Sequence, residues 1–146
     1  MGARFDAVNM VVSDMGASRQ FYSLLGLEFA NSHEPLWDRH HVTAVHPGGD
    51  DGPDLGFDLD SASFAHQWNA GWPGGAGVVL GFRVEAREEV DELVSMLAAG
   101  GATVQQAPYD AFWGARYGVV SDPDGNAVGI MSPVDPAFRS TAPSPQ

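Results

Sequence analysis

The sequence predicts an α+β protein built from two successive modules, and three observations carry that prediction. Strand, helix, glycine and strand recur in order: Val12, Leu24 to Leu27 and Phe29 have counterparts at Val84, Ala99 to Ala102 and Val104, offset by 72 before the helix and 75 after it. One helix per half is visible in the apolar spacing, most clearly over Arg87 to Ala99. The stretch Asp122-Pro123-Asp124-Gly125-Asn126, set between two apolar β-type runs, reads as a hairpin turn. Modules of roughly 70 residues are too small to bury much core alone, so they must pair.

Taken in order, Phe5 to Ser13 is an apolar, β-branched run that predicts a buried strand. Met15 to Leu25 follows as a short helix, with Met15, Phe21, Tyr22, Leu24 and Leu25 assigned to one face and Asp14 or Ser18 as its cap. Leu27 to Phe29 returns to extended structure, and His41 to His46 and Asp54 to Asp60 predict two further strands around a proline- and glycine-rich loop. Ser61 to Pro73 is a linker with a short helical turn, since Gly71 and Pro73 cannot prolong a helix. Gly77 to Val84 predicts a strand. In Arg87 to Ala99, Val90, Leu93, Val94 and Leu97 keep the helical spacing, and Glu88, Glu89, Asp91 and Glu92 favour the positive helix start. Ala102 to Gln106, Arg116 to Ser121 and Ala127 to Met131 complete the strands. Asp135 to Gln146 carries three prolines and little apolar content, and is expected to be a flexible tail.

Composition excludes several functions. With 7 Lys+Arg against 19 Asp+Glu the net charge is -12, which repels phosphate backbones and anionic membrane surfaces, so neither nucleic acid nor membrane is an expected partner. There are no cysteines, hence no disulfide and no thiolate metal site. Met1 to Val12 lacks the basic start and cleavage site of a signal peptide, and no long apolar run occurs. A soluble cytoplasmic protein is the expectation.

The segment Val11 to Phe29, with its Ser-x-x-Phe-Tyr and Leu-Gly-Leu elements, and the Asp-Pro-Asp-Gly-Asn hairpin resemble the vicinal oxygen chelate superfamily, which groups glyoxalases, bleomycin-resistance proteins and extradiol dioxygenases. The resemblance runs from Phe5 to Pro133. It implies two βαβββ modules forming curled mixed sheets around a shared cleft, within one domain over residues 1–134. The modules would occupy about 4–60 and 77–133, the linker 61–76, and the molecule would be a homodimer.

Members of that superfamily that perform chemistry hold a divalent metal with His, Glu or Gln from strands of both modules. The corresponding positions here are the Ala7-Val8-Asn9 region, Asp58, Val79 and Gly129. At most one offers a carboxylate, whereas a metal needs roughly three converging ligands, so no cofactor and no metal site are expected. The five histidines, His33, His40, His41, His46 and His66, form no ligand pair at metal spacing. His40 and His41, being adjacent, would point to opposite faces of a strand. No nucleophile motif is present, and no catalytic residue is assigned.

All four tryptophans, Trp37, Trp68, Trp72 and Trp113, fall in connections. Two indoles on opposite walls of a cleft would sandwich a planar ligand, each worth about 1 kcal/mol or more. The competing reading is that these rings plug module or dimer interfaces. Asp50, Asp51, Asp54, Asp58 and Asp60 read mainly as a solvated loop, or alternatively as a negative rim for a cationic ligand. Phe112-Trp113-Gly114-Ala115-Arg116-Tyr117 leading into the hairpin is similar to the metal-free branch of the superfamily that sequesters antibiotics. The resemblance thus implies a resistance protein that binds an aromatic natural product without altering it, through Trp37, His40, Asp58, Trp68, Trp72, Phe112, Trp113 and Tyr117. Two alternatives stand: a lyase, isomerase or dioxygenase with a displaced metal site, and a module that docks a protein partner.

Overall fold

The computed structural model describes residues 2–31, 37–45 and 55–143. The first module contributes β1 (Arg4–Val12), α1 (Met15–Leu24), β2 (Glu28–Ala30), β3 (His41–Val45) and β4 (Gly56–Ser61). After the short α2 (Ala65–Trp68), the second contributes β5 (Gly77–Arg83), α3 (Arg87–Ala99), β6 (Val104–Asp110), β7 (Arg116–Ser121) and β8 (Ala127–Met131). The strands form one open, curled sheet in the order β2-β3-β4-β1-β5-β8-β7-β6. Each module is thus a βαβββ unit, and the second half of the order mirrors the first. No described helix is long and apolar enough to cross a membrane.

The modules meet where β1 and β5 pair antiparallel, with Asn9 opposite Val79 and Val8 opposite Leu80. On its outer flanks β1 runs parallel to β4, and β5 runs parallel to β8. Strand alternation then sorts the side chains onto two faces. On the helix-covered face, Val12, Val42 and Leu59 pack with Met10, Met15, Tyr22 and Phe57 beneath α1. Val84, Val90, Val94, Val120 and Ile130 pack with Leu93 and Leu97 beneath α3. On the concave face, Val11, Val79, Val119 and Ala127 form a third cluster with Phe64, Ala65, Trp68 and Trp72. The linker therefore fills part of the hollow between the modules.

Local chemistry explains the element ends. Asp14 caps α1 by accepting from Ala17 N–H at 2.9 Å. In the β7–β8 turn Asp122 Oδ1 accepts from the Asp124 and Asn126 N–H groups, while Gly125 takes a φ of 90° that a side chain would resist. These hydrogen bonds hold the exposed Asp122 carboxyl below its ordinary pKa.

Three expectations change. In α1 only Met15 and Tyr22, seven residues apart, face the sheet; Phe21, Leu24 and Leu25 lie on another side of the helix and are exposed. β6 continues past Gln106 to Asp110 through Pro108, which an edge strand tolerates because one side of its ladder is open, and two register shifts interrupt its pairing with β7. The first part of the C-terminal segment is anchored by polar rather than apolar contacts. Asp135 N–H donates to Gly114 O, Ser140 N–H donates to Phe112 O, and the Arg87 guanidinium lies 3.7 Å from the Phe138 ring centroid. The expected loop with Asp50, Asp51 and Asp54, together with His33 and His46, falls outside the described residues.

Candidate functional site

Between the concave face and the segments that cross it lies a cavity of about 420 Å³. Its aromatic side is built by three connections: Trp37 from a 3-10 turn, Phe64 and Trp68 around α2, and Phe112 and Trp113 from the turn before β7, where Tyr117 follows. These rings form a contiguous belt. Trp37 sits 5.0 Å from Phe64 and 5.5 Å from Phe112, Phe112 sits 5.1 Å from Trp113, and Trp113 sits 5.4 Å from Tyr117. Trp37, Phe112 and Trp113 remain half-buried, so ring surface stays available to a ligand. Trp113 Nε1–H donates to Met131 Sδ at 3.4 Å. Arg116 secures the start of β7 by donating to both oxygens of Asp91 on α3.

The polar side comes from β1, β3, β4 and β5. Asp60 is saturated within the protein, accepting from the Asn9 amide at 2.9 Å and pairing with His41 Nδ1 at 2.6 Å. Burial alone would lower the His41 pKa, but attraction to Asp60, their hydrogen bond and the nearby Asp58 outweigh it and raise the value to about 9. Burial raises the Asp58 carboxyl, against an opposing pull from His41. At the β5 end, Arg83 donates to Asp6 at 3.1 Å, while its Nε is buried without a hydrogen-bond partner among the described residues. His40 Nδ1 lies 2.6 Å from Ser61 Oγ and its ring packs against Phe64; burial, then Arg39, lower its pKa.

Of the residues expected to bind a ligand, Trp37, His40, Asp58, Trp68, Phe112, Trp113 and Tyr117 all border this cavity. Trp72 does not. It is buried behind Trp68, ring centroids 6.1 Å apart, with its Nε1–H donated to Gly75 O, so it serves as packing. His40 and His41 both border the cavity because His40 precedes β3, where strand alternation does not apply. Asp60 is buried rather than part of a solvated loop, and Asp58 is only partly exposed. The signal was present in Asp58-Leu59-Asp60: two carboxylates spaced by two around a core leucine share one face of a strand. His41, Phe64 and Met131 were not anticipated as cavity residues.

The four places where the resemblance expects metal donors do converge on this hollow. Asn9 faces Asp58 across one ladder and Val79 across the other, and Gly81 faces Gly129. Their chemistry does not suit a divalent ion. Asn9 offers only a neutral amide, whose Nδ2 donates to Asp60, Val79 has no donor atom, the space beside Gly129 belongs to Tyr117, and Asp58 alone supplies a carboxylate. A methyl group on Gly129 would lie 2.7 Å from Tyr117 Oη. Among the described residues no group of three His, Asp or Glu side chains is placed to hold a metal ion.

Residues 4–130 match the Glyoxalase/Bleomycin resistance protein/Dioxygenase superfamily, and the chain belongs to it. Among solved structures it is similar to the crystal structure described as NAD-dependent benzaldehyde dehydrogenase from Legionella pneumophila, with 23% identity and a TM-score of 0.61 over 86% of this chain and 96% of that one. A superfamily member from Vibrio splendidus 12B01 is 18% identical, with a TM-score of 0.58 over 90% and 100% of the two chains. The Mn(II)-bound glyoxalase from Novosphingobium aromaticivorans is 20% identical, with a TM-score of 0.59; the match covers 90% of this chain but 40% of that one. At these identities the likeness establishes the fold. No protein of curated function matches the sequence.

Two outcomes are expected. Gly129→Ala should lower stability by about 1–3 kcal/mol through overpacking against Tyr117. In urea denaturation, the Gly129→Ala/Tyr117→Phe double variant should lose less than the sum of the single losses, and strict additivity would show that the two residues do not compete for one space. By NMR, His41 should titrate near pH 9 and fall markedly in Asp60→Asn. Because the folded value lies above the ordinary 6.5, the pair's stabilisation is complete below about pH 6.5 and is lost as pH rises through about 9. A wild-type His41 titrating at its ordinary value would contradict the pairing.

Proposed function

We propose that the protein binds an aromatic natural product of the antibiotic type and sequesters it without chemical change. The observation that carries this reading is the substitution at the centre of the cavity: where relatives with chemistry would present metal donors, this chain presents Val79, Gly129 and the Tyr117 ring, beside a contiguous aromatic belt. Such a wall favours flat apolar surface, and a cavity of about 420 Å³ falls within the range of ligand pockets. Lowering the free concentration of a compound requires micromolar binding or better, about -8 kcal/mol, which several ring contacts and a few hydrogen bonds in a dry cavity can supply.

The protein acts as a homodimer in this proposal. The exposed stripe of Phe21, Leu24 and Leu25 on and just after α1 supplies apolar surface for a second copy. Sedimentation velocity should give a dimer that Leu24→Asp weakens, and a wild-type monomer at micromolar concentrations would overturn this part.

Titration with planar aromatic natural products should change tryptophan emission saturably, and Trp113→Ala should weaken binding about 5–10-fold, near 1 kcal/mol for one lost ring contact. Ligand recovered from the complex should have unchanged mass. Constant emission with no calorimetric heat across a chemically broad panel would reject the proposal, and a modified ligand would point to catalysis instead.

A further inference from the structure

The charges around the cavity do not cancel, and the excess is localised. The cavity is bordered by the carboxylates Asp6, Asp58 and Asp60 and by the cationic groups Arg83 and His41. Asp6 is paired with Arg83, and Asp60 with His41 and the Asn9 amide. Asp58 is different. Among the described residues it forms no salt bridge, and the positive charge that acts on it, His41, is already engaged by Asp60. A half-buried carboxylate without its own cation carries a desolvation cost, which a ligand that brings a cation relieves.

We propose that the ligand carries a protonated basic nitrogen on its aromatic framework, and that Asp58 receives it while the belt of Trp37, Phe112, Trp113 and Tyr117 takes the rings. This rests on the binding function proposed above and narrows it to aromatic amines. Asp58 then acts as the specificity determinant: its carboxylate borders the cavity and accepts the N–H of the amine. A neutral ring system of the same shape gains the aromatic contacts but leaves the carboxylate uncompensated.

Two planar tricyclic probes separate these contributions: proflavine, cationic at neutral pH, and acridone, neutral. Titrated by fluorescence into wild type, Asp58→Asn and the surface control Asp124→Asn, proflavine should bind wild type at least about tenfold more tightly than acridone. Asp58→Asn should abolish that preference and leave acridone unchanged, Asp58→Glu should retain much of it, and Asp124→Asn should have no effect. Acridone binding as tightly as proflavine, or equal losses in Asp58→Asn and Asp124→Asn, would overturn the assignment of the amine to Asp58 while leaving aromatic binding intact. Failure of both probes to bind any folded variant would overturn both proposals.

Discussion

The antiparallel pairing of β1 with β5 is the constraint on which everything else in the molecule depends. It joins two units, each too small for a substantial core, into one sheet and makes their concave surfaces continuous. Because Asn9 is opposite Val79 on one side and Asp58 on the other, a single ladder register brings the first and second halves of the chain to one hollow. A shift by one residue would turn Asn9 and Val11 toward the helices and Met10 and Val12 toward the cavity, exchanging polar and apolar surfaces.

Within that frame the wall of the hollow around Val79 and Gly129 is built of apolar and aromatic side chains. Gly129 leaves room that Tyr117 occupies, and Tyr117 in turn connects the belt of Trp113, Phe112 and Trp37 to Trp68 on the linker side. Burial raises the pKa of both Tyr117 and Tyr109, so the phenols remain neutral hydrogen-bonding groups. The β4 carboxylates supply the polar counterpart. Asp60 is committed to internal partners and thereby positions His41 and Asn9, whereas Asp58 forms no salt bridge among the described residues.

Much of the fold was readable in the chain because strands and helices leave period-2 and period-3.6 signatures. The α3 spacing, the Asp122 to Asn126 turn and the modular repeat all reappear in the folded chain. Patterns within one segment report which residues share a face, though not which face meets a neighbour. Phe21, Leu24 and Leu25 are apolar and helically spaced, yet Tyr22 and Met15 are the residues that meet the sheet. Similarly, all four tryptophans were expected to contact a ligand, while Trp72 is held away by Gly75 and covered by Trp68.

By itself, then, the sequence determined the modular α+β architecture, the hairpin and the donor-poor character of the positions where related proteins place metal ligands, since each follows from residue type and local spacing. Only the tertiary structure decided that the rings join into one belt, that Tyr117 fills the space beside Gly129, and that Asp60 is paired with His41 while Asp58 has no salt bridge among the described residues. Those outcomes depend on distances between residues far apart in the chain, set by strand register and by the path of the linker, and no local pattern encodes them.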